Sequence, residues 1–140
     1  MPYDRLYVEF LYFFNVTRDY FECHEVMEEL WMEQGRSPFC QGLLQVAVSL
    51  YHFRGGNRSG AVKLMTAAID KLSPYPAATW GIDLGRLLEE CREYLARLER
   101  YSSQPFEFYD LDIVITDPAL EKEVAALQKN PPASADEEHH

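Results

Sequence analysis

The chain has 140 residues, 47% of them hydrophobic and 26% charged, with 23 acidic against 13 basic side chains and a formal net charge of −10. That length suits one domain with a core large enough to stand without staples, and the composition is that of a globular chain, not a disordered one. The acidity disfavours non-specific binding to nucleic acid or an anionic membrane, and no apolar run approaches the ~20 residues of a membrane span.

The N-terminus lacks a basic stretch followed by an apolar one, so a classical secreted protein is not expected. Cys23, Cys40 and Cys91 are odd in number and contain no Cys-x-x-Cys pair. A disulfide framework or four-cysteine zinc site is therefore unsupported, and reduced, mostly buried thiols in a cytoplasmic protein are expected.

Residues 4–14 are dense in Leu, Tyr and Phe, but Leu6, Phe10, Phe13 and Phe14 recur at helical spacing. The spacing predicts a first helix, broken at 15–18. Asp19 is an N-cap with Glu22 at capping-box spacing, opening a second helix over about 20–33 that Gly35 ends. Ser37-Pro38 starts the third, about 38–54, which is apolar almost all round and so expected at the centre.

The linker 55–61 reads as a tight helix–helix turn. Asn57 or Ser59 caps the fourth helix, small Gly60 and Ala61 permit close approach to the third, and Arg58 is placed where it could meet an anion. No Walker lysine is present. The fourth helix covers 58–73 with an apolar stripe of Ala61, Leu64, Met65, Ala68, Ile69 and Leu72, 73–76 form a rigid turn, and the fifth covers about 82–101. Residues 105–116 read as extended, packing across the bundle or pairing with another subunit, and 118–129 as a short charged helix. The fold class is all-α, a compact bundle of about five helices with an extended C-terminal segment. Its parts are a bundle domain over 1–103, a C-terminal extended segment and helix over 104–130, and a disordered tail over 131–140. His139 and His140, native or the remnant of an affinity tag, are set aside from any site.

The second helix holds the one constellation with chemistry in it. On a helical wheel Glu28 falls about 40° from His24 and Trp31 about 20° to the other side, while Glu22, Glu25, Glu29 and Glu33 lie on the opposite, solvent side. His24 and Glu28 thus occupy an arc that the pattern assigns to apolar residues, and buried polar groups need partners. One turn apart on one face, they are placed to ligate one ion or to hydrogen-bond. Gln41, Gln45 and His52 form a polar line on the third helix. In an antiparallel hairpin His24 would approach His52, and Glu28 would lie nearer Val48 and Gln45.

Two imidazoles and a carboxylate suit one divalent metal ion such as Zn, Fe, Mn or Ni. Position 28 is Glu where His-Glu-x-x-His has its second His, and Glu-x-x-His is absent, so zincin and di-iron sites are disfavoured. Three readings remain open. The first is a metal site of His24, Glu28 and His52, with Gln41, Gln45, Trp31 and Tyr51 around it. The second is a structural network in a non-enzymatic scaffold, which would meet a second copy or a protein partner through 105–116. The third is a metal-free small-molecule pocket. No catalytic residue is assigned.

The segments 20–31 and 39–47, Tyr51-His52, the turn with Asn57 and Gly60, then Tyr75-Pro76 and Gly81-Ile82-Asp83 together resemble the DUF309 family of small all-helical prokaryotic proteins of unknown function. The resemblance spans roughly 10–100. The family's hallmark is His, three residues, Glu, two residues, then Trp or Tyr, and it falls here on His24, Glu28 and Trp31. The resemblance implies a helical fold and a motif suggested to matter for function, with metal binding as one suggestion.

Overall fold

A computed structural model describes residues 3–132. All but the first two residues of the expected disordered tail, including His139 and His140, lie outside them. The element order is α1 (Arg5–Tyr12), a π-helical turn (Phe13–Thr17), α2 (Tyr20–Glu33), α3 (Pro38–Arg54), α4 (Arg58–Leu72), β1 (Ala78–Thr79), β2 (Ile82–Asp83), α5 (Leu84–Glu99) and α6 (Pro118–Lys129). The all-α bundle is as expected, with the short 118–129 helix as its sixth member.

Local chemistry sets the starts of these helices. The side chains of Asp4, Asp19, Asn57, Asp83 and Asp117 each accept a backbone N–H of the first turn of α1, α2, α4, α5 and α6, satisfying donors that have no partner within the helix. Asn57 is thus the α4 cap, and Ser59 instead donates to the Asn57 side-chain oxygen Oδ1. Arg58 turns toward α5. Its guanidinium lies over the Tyr101 ring and reaches the Leu98 carbonyl at the end of α5.

α3 lies between α2 and α4, with Phe39, Cys40, Leu43, Val46, Ala47 and Leu50 buried. Its approach to α4 is close at both ends. A Cβ on Gly42 would stand 2.6 Å from Leu72, and buried Ser49 donates to the Ala61 carbonyl at 2.7 Å. Ala61 is the small residue expected at that contact. Gly42 supplies the other end.

The first helix does not break at Asn15. It widens into the π turn, and Arg18 ends it in the left-handed region at φ 59°. The 105–116 segment explains the widening. Asn15 pairs with Ile113 as a neighbouring strand would, donating to its carbonyl at 2.8 Å and accepting its N–H at 2.9 Å. Arg18 reaches the Leu111 carbonyl and Asp112, Tyr20 donates to Asp110, and the Tyr94 hydroxyl donates to the Tyr109 carbonyl. Phe106 and Phe108 pack on Phe53, while Leu111 and Ile113 are buried.

The strap therefore crosses its own bundle, the first of the two expected placements. Leu111 and Ile113 are buried in this packing, while Phe106, Phe108, Tyr109 and Ile115 are partly buried against the core. The strap also meets a hairpin that the helical pattern hid. β1 and β2 pair antiparallel around Trp80-Gly81, both at positive φ as a two-residue primed turn requires. Ile82 bridges to Ile115, so α5 starts at Leu84 and not at 82. α6 then packs on α1 through Leu120, Val124 and Leu127.

Two predictions follow from this packing. Asn15→Ala orphans both backbone groups of Ile113 and is expected to destabilise by about 2–3 kcal/mol in urea unfolding, with faster hydrogen exchange at the Ile113 amide. The second concerns alkaline pH. Burial, helped by Glu90, pushes the Cys91 thiol up to about 12 from 9.0, and burial likewise raises Cys23, Cys40, Tyr7, Tyr20 and Tyr94. The unfolded thiol loses its proton first, so this stability is complete below about pH 9 and is lost as pH climbs toward 12. Cys91 alone accounts for about 1.4 kcal/mol per pH unit in that window. The urea midpoint should fall between pH 8 and 10, and less steeply in Cys91→Val.

Candidate functional site

α2 and α3 form an antiparallel hairpin, with Phe21 near the start of one against Tyr51 near the end of the other. The rotation of α2 decides what its motif does. Tyr20, Cys23, Val26, Met27 and Leu30 are buried, and their mean direction on the wheel lies about 100° from His24. An apolar arc centred on His24 requires Phe21 and Trp31 in the core, whereas Phe21 is 46% exposed and Trp31 half-buried.

His24 and Glu28 therefore stand at the rim of the core, with side chains 38% and 48% exposed. The two do not carry the cost of full burial that the wheel implied. Glu22, assigned to solvent from the same wheel, is buried, whereas Glu25 and Glu29 are exposed as expected.

The rim residues line a cleft of about 300 Å³ between the helices, formed by His24, Glu28 and Trp31 of α2, Gln41, Leu44, Gln45 and Val48 of α3, and Leu64 of α4. His24 Nε2 lies 3.2 Å from Glu28 Oε2, and its Nδ1 lies 3.3 Å from Glu25 Oε1. Both ring nitrogens thus face a carboxylate. At the far end the Arg36 guanidinium sits 5.2 Å from the centre of the Trp31 ring. Leu44 and Leu64 complete the apolar wall. Leu64 was legible as part of the apolar stripe of the fourth helix, but nothing in one sequence ties that stripe to the second helix.

His52 does not join His24 and Glu28. It lines a separate depression with Tyr51, Arg54, Gly55 and Asn57, its Nδ1 3.4 Å from the Asn57 amide nitrogen. Tyr51 sits beyond the end of the cleft against Phe21, and one residue further round the helix His52 points toward the α3–α4 turn. Among the described residues no three His, Cys, Asp or Glu side chains gather as metal ligands. The expected three-ligand set is therefore not assembled. The turn residues Asn57 and Gly60 serve helix capping. Added to Gly60, a Cβ would strike the Asn57 side chain at 2.6 Å.

Two polar atoms in the cleft wall stand out. Trp31 Nε1 and Gln45 Oε1 are buried without a hydrogen-bond partner. Native interiors hold few such groups, and each calls for an explanation.

The fold and the cleft together define a small helical bundle whose α2–α3 face carries the candidate site. The family model described as a domain of unknown function, DUF309, matches residues 7–64, which include all of α2 and α3. An uncharacterized protein, YpuF of Bacillus subtilis (strain 168), is 38% identical over 125 residues, covering 86% of this chain and 70% of that protein. An uncharacterized protein of Aquifex aeolicus (strain VF5) is 29% identical over 86 residues, 59% of this chain but 26% of its own length. No solved structure matches the chain. The chain belongs to the DUF309 family. Tyr75-Pro76 and Gly81-Ile82-Asp83 lie beyond the matched span. Among the described residues no helix is long and apolar enough to cross a membrane.

Replacing an unpartnered buried acceptor by an apolar side chain of similar size removes its desolvation penalty. Gln45→Leu is expected to stabilise the fold by about 1 kcal/mol in thermal or urea unfolding. A clear loss of stability would mark Gln45 as a paired member of a structural network.

Proposed function

We propose that the α2–α3 cleft binds a small polar molecule, with the His24–Glu28 pair as its polar anchor. The observation that carries this reading is convergence. His24, Glu28, Gln41 and Gln45 meet an apolar wall of Leu44, Val48 and Leu64 in one cleft, and ligand sites combine a mostly apolar lining with a few convergent polar groups at volumes of about 300 Å³ and above. Binding is favoured over catalysis by the same geometry. Both nitrogens of His24 are already directed at carboxylates, and no Ser, Thr or Cys is among the lining residues. A base would have to give up one carboxylate contact, and no protein nucleophile is beside it.

One observation favours a second reading, a divalent cation on the same pair. Ligand bonds of about 2.0–2.2 Å put neighbouring donor atoms roughly 3.0–3.5 Å apart, and the His24 and Glu28 atoms are 3.2 Å apart. Gln41 and Gln45 carbonyls are the remaining donors at hand, a weak set for Zn and a better one for harder ions.

One set of titrations tests both. Wild type, His24→Ala and Glu28→Gln are each titrated with a soluble fragment collection while the His24 ring and the Leu44 and Val48 methyls are followed by NMR, and with Zn, Mn and Ni by calorimetry. Fragments that move these signals in wild type and bind at least tenfold more weakly in both variants support the cleft reading. One ion per chain, lost in both variants, would replace it by the cation reading. A wild-type cleft silent to every fragment and ion would sink both.

A further inference from the structure

We infer that the α2–α3 cleft selects molecules bearing a carboxamide-type edge, a carbonyl acceptor beside an N–H donor, read by the Trp31 indole N–H and the Gln45 side-chain carbonyl. The inference rests on the proposed cleft site and names the ligand class it takes.

Among the described residues, the side-chain N and O atoms that are buried without a hydrogen-bond partner are these two, and both belong to side chains lining the same cleft. They have opposite polarity. Indole Nε1–H is a donor only, and an amide oxygen is an acceptor only. They come from facing helices, Trp31 from α2 and Gln45 from α3, and they do not bond to each other. A group seated between the helices therefore satisfies both if it accepts from Trp31 and donates to Gln45.

That requirement separates ligand classes. A primary amide, a lactam, a urea or the edge of a nucleobase presents an acceptor next to a donor. A carboxylate presents acceptors only, so it pairs with Gln45 solely through the –NH2, leaves the Gln45 carbonyl unpaired and meets the Glu28 carboxylate. An ammonium presents donors only and leaves Trp31 orphaned. Sites built to hydrogen-bond a particular group reject analogues lacking it because the site's own polar atoms are then left unpaired. Both atoms are buried, so entry needs a local movement of each side chain. The Gln45 side chain is unbranched and only half-buried, so rotation about its own bonds turns the amide oxygen from the wall into the cleft. Trp31 is half-buried too, and a turn of its ring beneath Arg36 brings the indole N–H to the cleft.

The test uses matched trios on one ring: pyridine-3-carboxamide, pyridine-3-carboxylate and pyridin-3-ylmethylamine, with equivalent trios on phenyl and furan rings. The Trp31 indole N–H signal, assigned with Trp80→Phe or by its loss in Trp31→Phe, reports the proposed contact. The His24 ring reports occupation of the cleft. Amides are expected to bind at least tenfold more tightly than their acids and amines and to shift the Trp31 signal, with the preference lost in Gln45→Leu. Should trio members move the His24 ring with no amide preference, or amides bind without moving the Trp31 signal, the inference fails and the cleft reading stands. Should no compound of any kind move the His24 ring, both fail.

Discussion

The seating of Cys23, Met27 and Leu30 in the core fixes the rotation of α2, and the candidate site follows from that rotation. Each of these side chains is fully buried, and burial of a Leu or Met stabilises by roughly 1.5–3 kcal/mol. Turning α2 by a quarter turn to bury His24 would expose this stripe. It would also carry the Glu28 carboxylate inward, at a cost of several kcal/mol more. Phe21 and Trp31 gain less from that turn than the stripe loses. The helix therefore settles with its aromatic and ionisable flank at the rim, where it lines the cleft with α3 and α4.

The strap works on the other side of the same helix pair. Arg18 and Tyr20 flank the start of α2, and both bond to the 110–112 stretch. Arg54, at the end of α3, donates to the Arg18 carbonyl and lies over the Tyr20 and Phe108 rings. The near end of the α2–α3 hairpin is thereby tied to α5 and the C-terminal segment. The far end is held by Phe39 against Tyr75 and Trp80. A hairpin anchored at both ends keeps its open edge in register, which a binding surface on two helices requires. The π turn belongs to this arrangement, since it aims Asn15 at Ile113 and lets Arg18 turn the chain into α2. π-helical turns are often found at such special positions.

Helix existence and order were legible because each helix carries its own signals: Asp19, Asn57 and Pro38 at starts, and apolar recurrence within. The motif was legible too, since His24, Glu28 and Trp31 share a face at any helix rotation. Burial direction was not, because a wheel treats Phe21 as core on composition alone and cannot see which flank a neighbour covers. His52 was misplaced for a related reason. Opposition across a hairpin depends on helix phase, and a shift of one residue turns a side chain by about 100°. The β1–β2 hairpin was too short to show a period, and the strap's partner was invisible because the Asn15–Ile113 pairing spans nearly a hundred positions.

The contrast among buried polar groups is the strongest argument that the cleft has work beyond packing. Ser49 bonds to Ala61, Asn15 to Ile113, Tyr7 to the Trp80 carbonyl and Tyr94 to the Tyr109 carbonyl. Each is a polar side chain whose packing also supplies its partner. Trp31 and Gln45 depart from that pattern together, and in the same place. Two orphaned groups cost roughly 2–6 kcal/mol between them, a large share of a net stability of about 5–15 kcal/mol. Apolar residues at those two positions would avoid that cost without disturbing α2 or α3, since neither side chain carries the core stripe. A core selected for stability alone has no reason to keep the deficit, whereas a site that pairs both groups with a ligand does, because local rules are broken most readily where function requires it.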